Sequence, residues 1–169
     1  MAEIAFIKIE NQEQYKRLAR ALKEAGRGDL QRAMVKQIRR YGSPALQAAQ
    51  RAFLGIDVQS SDGGGTKSTG LRARVAAATR ISVLGSGISI RVEPRRVDNR
   101  YGRALSFGLD GLGRWRHPVF ADPTKTRAEW TWVEQTGREV FYRSLKRYES
   151  AWRRGVEQAM QETARKIEG

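Results

Sequence analysis

The sequence predicts an α+β fold in which a small antiparallel β-sheet is packed between N-terminal helices and a long C-terminal helix. Three patterns carry this reading. Apolar residues recur every three or four positions in the first and last thirds of the chain, two short alternating runs flank Gly85-Ser86-Gly87, and a second alternating pair surrounds the tryptophan-rich stretch between Trp115 and Glu134. A chain of 169 residues suits one domain, spanning 1–169, and is long enough to bury a core.

Taken in order, residues 4–9 form a β-prone opening. Asn11 is suited to cap a helix, with Gln14 completing a capping-box pattern, and Tyr15, Leu18, Ala19, Leu22 and Ala25 fall on one helical face. Gly26 and Gly28 interrupt that helix and Asp29 is expected to cap the next. The same period then continues through Leu30, Met34, Ile38, Tyr41, Ala45, Ala49 and Phe53. Pro44 is expected to kink or restart this second helix, because it lacks a donor and crowds the preceding turn.

Residues 57–70, rich in glycine and serine, read as a mobile loop. Its Gly-Gly-Thr-Lys-Ser-Thr run resembles a phosphate-binding loop only superficially, since lysine does not directly follow the last glycine and no strand precedes it. A short helix is expected over Leu71–Ala78. A hairpin follows, with Ile81 and Val83 on one face of its first strand and Ile88, Ile90 and Val92 on one face of its second. Residues 94–113, basic and punctuated by glycine, read as a second mobile loop. Two more strands are expected, from Trp115 to Phe120 and from Trp130 to Glu134, with Trp130 and Trp132 on a common face. Residues 137–167 return to helix, where Glu149 and Arg153 are spaced to pair.

Composition narrows the function. With no cysteine and a single histidine, thiolate and histidine-rich metal sites are excluded, and no cofactor is implied. His117 has no cysteine to activate, and the serines lie in no nucleophile-elbow context. The carboxylates are too scattered to divide acid and base roles. No catalytic residue is assigned, and the chain is read as a non-enzyme. The acidic start has no signal-peptide character and no apolar run is long enough to cross a bilayer, so synthesis in the cytoplasm and no membrane partner are expected.

Charge points to polyanions. The formal net charge is +14, from 32 basic and 18 acidic side chains, and the excess is concentrated in the first helices and in residues 67–117. Arg39, Arg40, Arg95, Arg96, Arg100 and Arg103 are candidate contacts, either to phosphate or to acidic patches on a neighbouring subunit. Trp115, Trp130 and Trp132 are suited either to stacking bases or to closing a core under arginine side chains. A basic protein that contacts nucleic-acid phosphate without sequence preference is therefore one reading.

The other rests on the run Trp115, Arg116, His117, Pro118, Val119, Phe120, followed by Trp130 and by Trp132, Val133 and Gln135. Set between basic N-terminal helices and a closing amphipathic helix, this order resembles the small neck and tail-completion proteins of long-tailed bacteriophages. The likeness is to the actinobacteriophage branch of the HK-type tail-component family, and it runs from about Tyr15 to Ile167. Ala121 stands where that family usually has glycine, with Asp122-Pro123 supplying the bend. The resemblance implies a non-enzymatic virion protein at the head–tail interface, made in the host cytoplasm and acting as tail-completion or connector component. It implies a homo-oligomer, a hexameric ring between connector and tail tube. Connector or stopper, tail-terminator and tail-tube proteins would be its partners, with a passing contact to DNA. On that reading the two loops contact neighbouring subunits and the hairpin from Trp115 to Gln135 forms the rigid centre of each copy.

Overall fold

Helix α2, Gly28–Leu54, is the wall against which the rest of the chain is built. The computed structural model describes residues 12–56, 70–84, 87–98, 102–111, 114–119, 131–137 and 139–168. Helix α1, Gln12–Glu24, lays Tyr15, Ala19 and Leu22 into the core. After α2 come α3, Leu71–Ala78, and a ribbon of β1, Thr79–Leu84, and β2, Gly87–Val92. Helices α4, Pro94–Val97, and α5, Gly102–Asp110, lead to a second ribbon of β3, Arg114–Val119, and β4, Thr131–Thr136. Helices α6, Val140–Lys146, and α7, Glu149–Glu168, close the described chain. The class is α+β, its four described strands forming two separate two-stranded antiparallel ribbons.

The first ribbon follows the alternation of its sequence. Ile88, Ile90 and Val92 are buried, Ile81 and Val83 half-buried, and the register pairs Ile81 with Ile90 and Val83 with Ile88. The buried Thr79 hydroxyl donates to Val75 O at 2.8 Å, and Glu93 N–H donates to Ala78 O at 2.9 Å, so α3 runs directly into the sheet. Gln50 donates from α2 to Thr79 O at 3.3 Å, fixing that junction to the wall.

Four expectations change. Pro44 does not restart α2, a single helix of 27 residues that runs through it. Its ring stands on the exposed side, while Gly42, Ala45, Ala48 and Ala49 are buried around it. One missing backbone bond is outweighed by the burial on the opposite face. Residues 94–113 are not one loop, since α4 and α5 lie within them. Pro94 occupies a first helical turn, where its missing donor costs nothing, and Val97, Ser106 and Leu109 are buried. The C-terminal helical region is two helices, broken at Arg147 and Tyr148, where the Arg147 guanidinium lies 4.9 Å from the centre of the Tyr148 ring. Asp29 sits in the first turn of α2 rather than at its cap, which is Arg27. The backbone N–H of Leu30 holds the Asp29 carboxyl below the usual carboxylate range. Asn11, the opening 4–9 and the loop 57–69 lie outside the described residues.

The core is apolar and continuous. Tyr15, Leu22, Met34, Ile38, Phe53, Leu145, Trp152 and Val156 are among its buried side chains, and Phe53 stacks on Phe141 with ring centres 5.6 Å apart. Where α2 crosses α7 the packing is reciprocal. A methyl group on Gly42 would lie 2.7 Å from Trp152 Nε1 and 2.8 Å from Ile81 Cδ1, and one on Gly155 would run into the ring and Cβ of Tyr41. Each helix thus offers a glycine to an aromatic side chain of the other.

Gly42→Ala and Gly155→Ala are each expected to lower the unfolding free energy by about 1–3 kcal/mol, the usual cost of overfilling a packed core. Chemical denaturation reads this as a lower midpoint. Gly28→Ala is the control: its added methyl meets only Arg32 Nη1, at 3.6 Å, so it should leave stability unchanged or raise it.

Candidate functional site

The described residues of the run that carries the family resemblance lie on the β3–β4 ribbon. Its register sets Trp115 opposite Gln135, Arg116 opposite Glu134, His117 opposite Val133 and Pro118 opposite Trp132. A proline is tolerated there because each strand of a two-stranded ribbon has a free outer edge that needs no donor. Exposed Arg114 reaches diagonally to Glu134 at 3.1 Å. Phe120 and Trp130 lie outside the described residues, as do the side chains of the other eight motif positions. The choice between base stacking and core packing for the tryptophans therefore lies outside them too.

The ribbon is not the centre of the subunit. Among the described elements its principal contact beyond its own two strands is with α5, and the centre is α2. The reason is visible at its two roots. Gly111 precedes β3 and Gly137 follows β4, and a methyl group on Gly137 would collide with the carbonyl oxygens of both Gly108 and Gly111. The chain thus leaves the body and returns to it through one narrow point.

Asp110, the last residue of α5, secures that point from the other side. Its Oδ1 accepts a hydrogen bond from the Phe141 N–H at 2.7 Å, so the end of α5 caps the start of α6 across the ribbon. Burial pushes the Asp110 carboxyl up to about 6, aided by the neighbouring Glu139 charge and opposed by hydrogen bonds from the Phe141 and Val140 backbone. Sequence inspection passed over both Asp110 and Gly137. The available signals were a carboxylate ending a short apolar period and a glycine just after an alternating run.

The candidate arginines are spread over three helices and a position outside the described residues. Arg39 and Arg40 are exposed on α2. Arg95 and Arg96 are exposed on α4, which packs on α3 and α5, and Arg96 pairs with Glu93 at 2.6 Å. Arg103 is on α5 with its side chain outside the described residues, and Arg100 lies outside them altogether. Among the described residues no three histidine, cysteine, aspartate or glutamate side chains gather as metal ligands, and no helix is long and apolar enough to cross a membrane. The Ser144 hydroxyl donates to Phe141 O at 2.7 Å, within its own helix.

Comparison of the chain with protein families, curated proteins and solved structures gives no match. What the site offers is geometric: a two-stranded ribbon rooted at one pinned junction.

The Asp110 cap gives a signed pH dependence. Its folded value, about 6, lies above the ordinary 3.8, so the folded state holds the proton more tightly. This contribution to stability is fully present below 3.8 and is lost as pH rises through about 6. On moving from pH near 7.5 to pH near 5, wild type should gain thermal stability relative to Asp110→Asn, which keeps a carbonyl acceptor but cannot titrate. Asp110→Ala loses the cap, at a cost of about 1 kcal/mol, and because alanine cannot titrate either, that cost should be larger near pH 5 than near pH 7.5.

Proposed function

We propose that this protein is a non-enzymatic structural component of the head–tail interface of a tailed bacteriophage, a tail-completion or connector protein. In this reading it assembles as a ring between connector and tail tube. The observation that supports it is that the described motif positions, Trp115 to Val119 and Trp132, Val133 and Gln135, lie on a two-stranded ribbon whose principal contact with the described body is α5.

A lone two-stranded ribbon is marginal in water, and its unpaired edges attract other chains. Such a ribbon gains stability when a second surface covers it. A ring supplies that surface once per subunit, because one patch docks on a different patch of the next copy and the rotation closes. The helical body would act as the rigid part of each copy and the ribbon as the part that meets the neighbour. Connector or stopper, tail-terminator and tail-tube proteins are the partners in this proposal. The product is made in the host cytoplasm and ends in the virion neck.

Purified protein is expected to form closed oligomers by mass photometry, and negative-stain images should show rings at the ends of added tail tubes. The gene is expected to lie between connector and tail-tube genes. A protein that stays strictly monomeric and never associates with tubes or connectors overturns the proposal.

A further inference from the structure

The ion pairs among the described residues leave several exposed cations without a carboxylate, Arg17, Arg20 and Lys23 of α1 among them, and four of these cations fall on one side of α2. Lys16 pairs with Glu13, Arg27 with Asp29, Arg80 and Arg96 with Glu93, Arg114 with Glu134, Arg143 with Glu139 and Arg153 with Glu149. In the first half of α2, Arg32, Lys36, Arg39 and Arg40 are all exposed, and among the described residues none has a carboxylate within salt-bridge distance. The only acidic side chain in that half is Asp29, held by Arg27.

Their spacing puts them on one stripe. Arg32 and Lys36, and Lys36 and Arg40, are four apart, and Lys36 and Arg39 are three apart. Like charges at those spacings oppose helix formation, so folding alone gives no reason for the arrangement. An anionic partner does. Arg32, Lys36 and Arg39, with Gln31 and half-buried Val35, also line an open depression of about 440 Å³.

We infer that this stripe of α2 is a contact surface for the phosphate backbone of duplex DNA. Its four cations extend over about 12 Å of helix at 1.5 Å per residue, while a duplex presents roughly one negative charge per 1.7 Å of its axis. Several phosphates therefore fall within reach at once. The stripe also lacks what a protein partner would need. Among the described residues the exposed large apolar side chains are Leu54, Leu84, Tyr142 and Ile167, none of them in this half of α2. Stable protein interfaces are organised around buried aromatic or aliphatic anchors, whereas contacts to phosphate are polar, hydrated and cationic. Such contacts fix position on the duplex without reading its sequence. The inference does not rest on the head–tail reading, because ring formation is scored by mass photometry and duplex binding is scored on whichever oligomer is present.

The test is a titration of full-length protein against a fluorescent mixed-sequence duplex of about 30 base pairs, from roughly 50 to 200 mM salt. Wild type is compared with the triple variant R32Q/K36Q/R39Q and with the control R143Q/K146Q/R154Q, which removes the same net charge from exposed positions on α6 and α7. Circular dichroism verifies that both fold, as expected for exposed substitutions. The stripe variant should lose about tenfold or more in affinity at the lowest salt, and its slope of log affinity against log salt should shrink by about 0.9 for each phosphate contact removed. The control should retain most of both. Equal losses in the two variants would mean that net charge alone binds, and would overturn the inference. So would no duplex binding at low salt, including the case where poly-glutamate binds instead and the partner is an acidic protein surface.

Discussion

The crossing of α2 and α7 is the contact on which the rest of the structure depends. Tyr41 and Gly42 are adjacent on α2, Trp152 and Gly155 lie three apart on α7, and each glycine receives the other helix's aromatic ring. Ile81 of the first ribbon reaches the same glycine, so two helices and a strand meet where no side chain intervenes. Trp152 Nε1 is buried there without an acceptor, which costs about 1–3 kcal/mol. Burying an indole of roughly 150–250 Å² at about 25 cal/mol per Å² returns roughly 4–6 kcal/mol, so shape outweighs the lost hydrogen bond.

From that crossing the body grows outward by short steps. The end of α2 carries Phe53 to Phe141 of α6, and α3 leads into β1 through Thr79. Arg72 donates to Ile56 O, and Arg74 donates to Val97 O at 3.4 Å, so α3 ties the C-terminal end of α2 to α4. Helix α5 then ends at Asp110, whose carboxylate caps α6. The second ribbon is thus held by its roots. That separation lets its edges meet another surface without disturbing the packing of α2.

Helical periodicity and strand alternation were legible in the sequence because burial of one face imposes them directly. Leu71–Ala78 appears with the expected bounds, and Ile88, Ile90 and Val92 point inward as their spacing requires. Pro44 does not restart α2, because local propensity says nothing about the buried face on the far side of a long helix. The helices within 94–113 were hidden because α4 and α5 span four and nine residues, too short for a period to emerge among Gly102 and Gly108. Asp110 and Gly137 were illegible for another reason. Their roles depend on partners at Phe141, Gly108 and Gly111, some 26 to 31 positions away in sequence, and no local pattern records such a meeting. Arg39 and Arg40 were visible as charges, but their lack of carboxylate partners required the fold.

Charge and packing therefore divide the molecule differently. The ion pairs join largely exposed side chains, such as Arg114 at 71% and Glu134 at 51%, and pairs of that kind contribute about 0–1 kcal/mol each. They cannot account for a net charge of +14, nor does the apolar core need it. Had the basic excess served only solubility, opposite signs would be interspersed along α2 as they are along α7. Instead the first half of α2 presents four cations to solvent on one side and packs Met34 and Ile38 on the other. The helix that organises the core thus also carries four exposed cations with no carboxylate partner among the described residues. An anion bound there would meet a surface already held rigid by the packing behind it, and would pay little ordering entropy.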